Sequence, residues 1–195
     1  MLKVFDGFGH SNWVTNVRTC LCSNGFAYVW EAQEIICPNQ FLSIFVQRLK
    51  DQYIQSWHES CERNSKLLYY RQFKNTYTPS NYVLMIDIDK FRKCLANFRS
   101  SSHELMVEKG RHFNIDRDFR YCPYCETVLE DEYHFICHCP LYHDLRKKYL
   151  PVLINSYISI QQFIDISGDE NHHNILNLSM FIYHVLELRS KYVND

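Results

Sequence analysis

Cys122, Cys125, His134 and Cys139 are spaced C-x2-C-x8-H-x4-C within eighteen residues. Thiolate and imidazole are the ligands that structural zinc takes, four at a time in a tetrahedron. A C-x2-C turn lets two thiolates reach one ion, and His134 and Cys139 return from the far side. Four protein ligands leave no open coordination position, so the ion staples a fold and does not activate water. The ligands must lose their protons to bind, which couples metal uptake to folding by on the order of 10–16 kcal/mol in isolated finger peptides. The expected cofactor is therefore Zn2+. Cys137, His138 and His143 stand near enough in sequence to replace Cys139, and spacing favours Cys139.

Cys122-Pro123-Tyr124-Cys125 is also similar to the active-site tetrapeptide of glutaredoxins, which would make the chain a thiol oxidoreductase. That chemistry needs the first thiolate at a helix N-terminus after a strand. Here the preceding residues 113–121 are charged and lack a clear strand pattern. Asp87 and Asp89 resemble the paired acids of a polymerase palm, but a palm needs a second acidic element on a neighbouring strand. None is present, so they read as helix-start acids favoured by the macrodipole. No phosphate-binding loop, dinucleotide fingerprint, nucleophile elbow or H-E-x-x-H helix occurs. His58, His172 and His184 read as surface or core residues.

The elements that must position the cluster are mostly helical. Only 5 Gly and 5 Pro occur in 195 residues, too few turn residues for an all-β chain of this length. Residues 12–22 read as a short helix stopped by Asn24-Gly25. Residues 25–36 are ambiguous, with strand composition at Phe26, Tyr28 and Trp30. Phe41, Phe45, Leu49, Tyr53, Trp57 and Cys61 recur every four residues and predict a long helix whose stripe lies in the core. Further helices are expected over 66–74, over 82–100 with Phe91, Leu95 and Phe98 inward, and over 102–109, ending at a left-handed Gly110. After the zinc segment, 141–150 resumes as helix until Pro151, and the last helix spans about 172–192. The expected organisation is a helical region over 1–100, a basic helix with the knuckle and its following helix over 101–150, and a helical segment over 151–195.

Aromatics make up 15% of the chain, too many for a disordered polymer. Nine cysteines could suggest disulfides, but the count is odd. Met1 to His10 lacks the apolar core of a leader, and no apolar run approaches membrane-spanning length. These features point to a reducing setting, nucleus or cytoplasm, with no membrane partner. Net charge is −1, yet residues 90–120 hold eight basic against four acidic side chains, and residues 121–195 hold five against ten. The basic excess thus sits just before the cluster, where Lys90, Arg92, Lys93, Arg99, Lys109, Arg111, Arg117 and Arg120 are candidate phosphate contacts.

Three runs carry a family resemblance: Phe98-Arg99-Ser100-Ser101-Ser102-His103, Glu108-Lys109-Gly110-Arg111 and Arg120-Tyr121-Cys122. Asp131-Glu132-Tyr133-His134-Phe135 and Cys139-Pro140-Leu141-Tyr142 extend them. Together they resemble the C-terminal region of non-LTR retrotransposon polyproteins, downstream of the reverse transcriptase. The resemblance covers about 98–146 and reaches more loosely back to Asn12. It implies a helical segment followed by a C-C-H-C knuckle that helps hold nucleic acid beside the polymerase. By position it implies Cys122, Cys125, His134 and Cys139 as zinc ligands, and a reverse transcriptase polypeptide as partner. It gives Arg99, His103, Glu108 and Arg111 roles in nucleic-acid contact or in a helix-locking ion pair. The palm and the endonuclease segment are missing, so such a chain could not polymerise by itself.

The expected fold is therefore mainly α, with a small embedded C-C-H-C knuckle. The expected function is non-catalytic binding of RNA or single-stranded DNA, with Arg92, Lys93, Arg99, Arg111, Arg117 and Arg120 on phosphates and Tyr121 and Tyr124 on bases. The alternatives are a zinc-stapled protein-interaction module and the thiol oxidoreductase.

Overall fold

The computed structural model describes residues 12–35, 37–154 and 157–194. Met1 to His10, read above for a leader, lie outside them. The described residues are helical apart from turns and one isolated antiparallel bridge between Tyr121 and Leu129. None of their helices is long and apolar enough to cross a membrane. The chain divides into two compact units, with the division between Glu59 and Ser60.

In the first unit, α1 (Asn12–Ser23) ends where expected. Asn24 caps it by donating to the Cys20 carbonyl at 2.6 Å, and Gly25 takes φ 83°, which a side chain would strain. The ambiguous segment resolves as helix α2 (Ala27–Ala32), because Phe26 and Val29, three apart, are both buried. Phe26 packs its ring against Phe41 and Phe45 of α3 (Pro38–Arg63). Farther along the α3 stripe only Cys61 is buried, and Leu49 and Tyr53 are exposed against expectation. Leu42 and Val46, which flank the stripe, and Tyr53 within it are 54%, 47% and 57% exposed. Two short helices cannot cover a helix of 26 residues, so periodicity sets the face but not its burial.

The second unit begins at Ser60 and contains the knuckle. The expected helix over 66–74 breaks into a 3-10 turn, Ser65–Leu67, and the single turn α4 (Tyr70–Phe73). After α5 (Tyr82–Met85), helix α6 (Asp89–Arg99) opens on Asp89, which pairs with Arg92 and Lys93 at 2.9 and 2.6 Å. Its inward face is the predicted Phe91, Leu95 and Phe98, and it lies along α10 (His172–Asn194), which buries Ile175, Leu178, Ile182 and Val185. Between them sits Phe135, wholly buried, with ring centroids 5.6 Å from Phe98, 5.2 Å from Tyr142 and 6.4 Å from Phe181. A knuckle residue therefore lies at the centre of this core. Boundaries at 100 and 150 would cut through it, because α6 packs on α10.

Helix α7 (Met106–His112) starts four residues later than expected. Two of its orphan N–H groups are satisfied from the knuckle: Met106 donates to the Glu130 carboxylate at 2.6 Å and Val107 to the Glu130 carbonyl at 3.0 Å. Gly110 lies inside α7 and is not its cap. A Cβ there would stand 2.7 Å from Cγ and Cδ of Arg120, so glycine is required by close approach and not by backbone angle. Past the knuckle, a 3-10 turn (Pro140–Tyr142) leads into α8 (His143–Tyr149). Within the segment expected to be helical over 151–195, a separate helix α9 (Ile160–Gly168) precedes α10, with Ser159 and Gln162 forming a capping box at its start.

Candidate metal centre

The knuckle begins as a tight hairpin. The Cys122 N–H donates to Val128 at 2.7 Å, and Glu126 and Thr127 donate back to the Cys122 and Cys125 carbonyls at 2.8 and 2.7 Å. These bonds aim both thiols to one side. The return limb is a π-helical turn, His134–His138, closed by Cys139 N–H on the His134 carbonyl at 2.9 Å. In an ordinary helix residues four apart share a face; an i→i+5 turn does the same for residues five apart. That turn brings Cys139 beneath His134. Asp131 anchors its start, with one carboxylate oxygen accepting the His134 N–H and the other the Tyr69 hydroxyl, both at 2.8 Å.

The four ligand atoms lie within 4.8 Å of one another. Cys122 Sγ and Cys125 Sγ are each 3.9 Å from Cys139 Sγ, and Cys125 Sγ is 3.4 Å from His134 Nε2. Tetrahedral zinc with Zn–S near 2.3 Å sets its sulfurs about 3.8 Å apart. The donor set and its separations fit that ion. The Cys139 hydrogen bond draws Cys122 down to about 3 and pushes Cys139 well up, while burial raises Cys125. One negative charge is shared where three thiols converge, and a cation allows the others to ionise.

The surroundings match that charge. Zinc with three thiolates and a neutral imidazole carries −1. Arg146, 5% exposed, donates to the Ile136 carbonyl at 2.7 Å and to the Cys139 carbonyl at 2.9 Å, and has no carboxylate partner among the described residues. It fixes the return limb and places +1 beside the cluster. On the other side the Glu130 carboxylate takes both arms of Arg189 at 2.6 and 2.7 Å, tying the knuckle to α10. The alternatives to Cys139 stand apart from the four. Cys137 is buried with its thiol pushed up to about 12 by desolvation, His138 lies between the Tyr133 and Tyr157 rings, and His143 is exposed.

Several of the cations expected on phosphates have internal partners. Arg99 is buried, its guanidinium 5.4 and 5.0 Å from the Phe73 and Tyr82 ring centres, and it donates to the Asp169 carbonyl. Arg120 directs three bonds of 2.7–2.9 Å onto the Ile115 and Val107 carbonyls. Arg111 pairs with Glu108 at 2.9 Å and also grips Ser65. His103 lies inside, 3.0 Å from Glu132. Arg92 and Lys93 share Asp89, and Lys90 stands over the Tyr183 ring at 4.5 Å. Arg117 is exposed, and its side chain makes no hydrogen bond or ion pair among the described residues. Sequence reasoning missed Glu130, Asp131 and Tyr69 as supports of the cluster. Asp131, three residues before His134, carries the spacing of a cap; Glu130 and Tyr69 give no local signal.

Fold and cluster together define an all-helical protein with a C-C-H-C group suited to a metal ion such as zinc. Compared with family models, curated proteins and solved structures, the chain matches none of them.

Proposed function

We propose that the protein is a non-catalytic, zinc-stapled helical module that binds RNA or single-stranded DNA. One observation carries this reading. Phe113, Phe119 and Tyr121 on the segment leading into the knuckle and Tyr124 inside its first turn are 64%, 62%, 39% and 42% exposed, and the Arg117 guanidinium among them has no partner among the described residues. Exposed aromatics interleaved with a free cation are what sequence-tolerant base stacking uses, at about 1–3 kcal/mol per stacked base. The staple gives that short segment a fixed shape. A four-ligand shell offers no site for bound water, which favours a structural ion. Burial of Cys122 at 1% exposure weighs against thiol exchange, which needs an accessible thiolate.

The test is anisotropy of a labelled 20-nucleotide RNA and its DNA counterpart on the zinc-loaded chain. Affinity should fall steeply between 50 and 200 mM salt, and Phe119→Ala and Tyr121→Ala should each weaken it about 5-fold or more. No binding at low salt would sink the reading.

The exposed apolar face of α3, with Leu42, Val46 and Tyr53, favours a second reading, a protein-interaction module. It predicts complex formation indifferent to salt and to Arg117→Ala. A reverse transcriptase polypeptide is the partner the family resemblance suggests.

A further inference from the structure

We infer that a cationic cleft between the end of α3, the turn after it and α7 is a phosphate-binding site. The cleft holds about 540 Å³, within the range of small-ligand sites. Its lining includes Lys66, Arg71, Arg111, Arg117 and Arg120. The three acids that border it do not neutralise this set. Glu62 stands 3.5 Å from Arg71, and Glu108 is 2.9 Å from Arg111. Glu132 has one carboxylate oxygen engaged elsewhere, accepting from the Ser101 hydroxyl at 2.6 Å and facing His103 at 3.0 Å.

Three cations are left on one cleft with no carboxylate. Lys66 reaches only the Ser102 hydroxyl at 3.3 Å, Arg120 only backbone carbonyls, and Arg117 nothing among the described residues. Like charges gathered in a concave, low-dielectric setting repel one another and focus a positive potential on the space between them. A phosphoryl group answers that field with one or two negative charges and several acceptor oxygens, matched to a guanidinium fork and an ammonium. Lys66 and Arg117 have donors free to reach it, and Arg120 is pinned and supplies charge at the wall. The inference rests on the nucleic-acid reading for one of its two sources, a backbone phosphate. The same chemistry would take a free phosphate monoester.

The experiment uses the whole zinc-loaded chain. Arginine Nε–Hε and backbone amide NMR signals are followed during titration with inorganic phosphate and, separately, with a 12-nucleotide RNA. Lys66→Ala, Arg117→Ala and the exposed control Lys147→Ala are compared. Saturable shifts with phosphate are expected at the Arg117 Nε–Hε of the parent chain and at the Lys66 and Arg120 amides, and the affinity read from those amides should fall at least 5-fold in Arg117→Ala and not in Lys147→Ala. If RNA also binds, competes with phosphate and loses about 0.7 of its salt slope per cation removed, the source is a nucleic-acid backbone. If phosphate binds in this way and RNA does not, the cleft stands with a free phosphate compound as its ligand, and the nucleic-acid reading falls. No phosphate shift, together with RNA binding unchanged by Lys66→Ala and Arg117→Ala, overturns the cleft and leaves the aromatic surface standing.

Discussion

Gly110 shows how one residue can decide a local structure. Alanine in a helix interior is favoured over glycine by about 1 kcal/mol. At Gly110 the added carbon would meet Arg120 Cγ and Cδ at 2.7 Å. That side chain cannot simply swing aside, because its guanidinium is pinned to the Ile115 and Val107 carbonyls. Hydrogen bonds to a charged group are worth about 1.5–3 kcal/mol each, so the clash outweighs the propensity gain. Gly110→Ala should therefore destabilise the chain by about 1–3 kcal/mol in urea unfolding; a more stable variant would refute the packing argument. The cysteines make a sharper contrast at the same scale. Cys139→Ser should abolish stoichiometric zinc uptake in a metal assay, whereas Cys137→Ser should leave one zinc per chain. Equal loss from both would mean that the ligand set is wrong. The four ligands were readable because they lie within eighteen residues, and their spacing is itself the geometry. The fate of the arginines was not. Arg99 looks like a free cation until Phe73, Tyr82 and Asp169, brought near only by folding, enclose it.

Between elements, the Arg189–Glu130 pair joins α10, the knuckle and the start of α7, since Glu130 also accepts the Met106 N–H. Both side chains are buried, at 6% and 1% exposure. Breaking such a pair from one side strands a charge and costs about 3–5 kcal/mol, whereas replacing both members by uncharged groups costs much less. Arg189→Met should lower stability by that amount, and Arg189→Met with Glu130→Gln should recover a large part of it. A double variant no more stable than Arg189→Met would show that the helix cap at Met106, not the buried charge, is what matters. Legibility at this scale follows contact distance. Helix α10 was anticipated because its apolar face repeats at helical spacing over many turns. The start of α7 was misplaced because its cap comes from Glu130, 24 residues later. The α9 start was legible in principle, since Ser159 and Gln162 are a local capping pair. The α3 stripe was legible as a helix face and not as a surface, because burial depends on how much chain is present to cover it.

For the whole molecule, the two units differ in how much core they hold. Among the described residues before Ser60, only Val14, Phe26 and Val29 are buried apolar side chains, too few to offset the chain entropy of a domain. The unit beginning at Ser60 contains the buried faces of α6 and α10 with Phe135 between them. It should fold alone, and residues 60–195 produced separately should give a cooperative urea transition and bind one zinc. Chelation is the informative step. A knuckle appended to an independent core would lose its metal with little effect on that transition. Here Phe135 and Ile136, both fully buried, lie between the ligands His134 and Cys139. Releasing the ion frees the turn that holds them and leaves the Cys122 thiolate buried without a counterion. Circular dichroism should therefore show an earlier and broader urea transition in excess chelator, with stability lower by several kcal/mol, restored on adding zinc. An unchanged midpoint after complete metal removal would separate the cluster from the fold and end its reading as a staple.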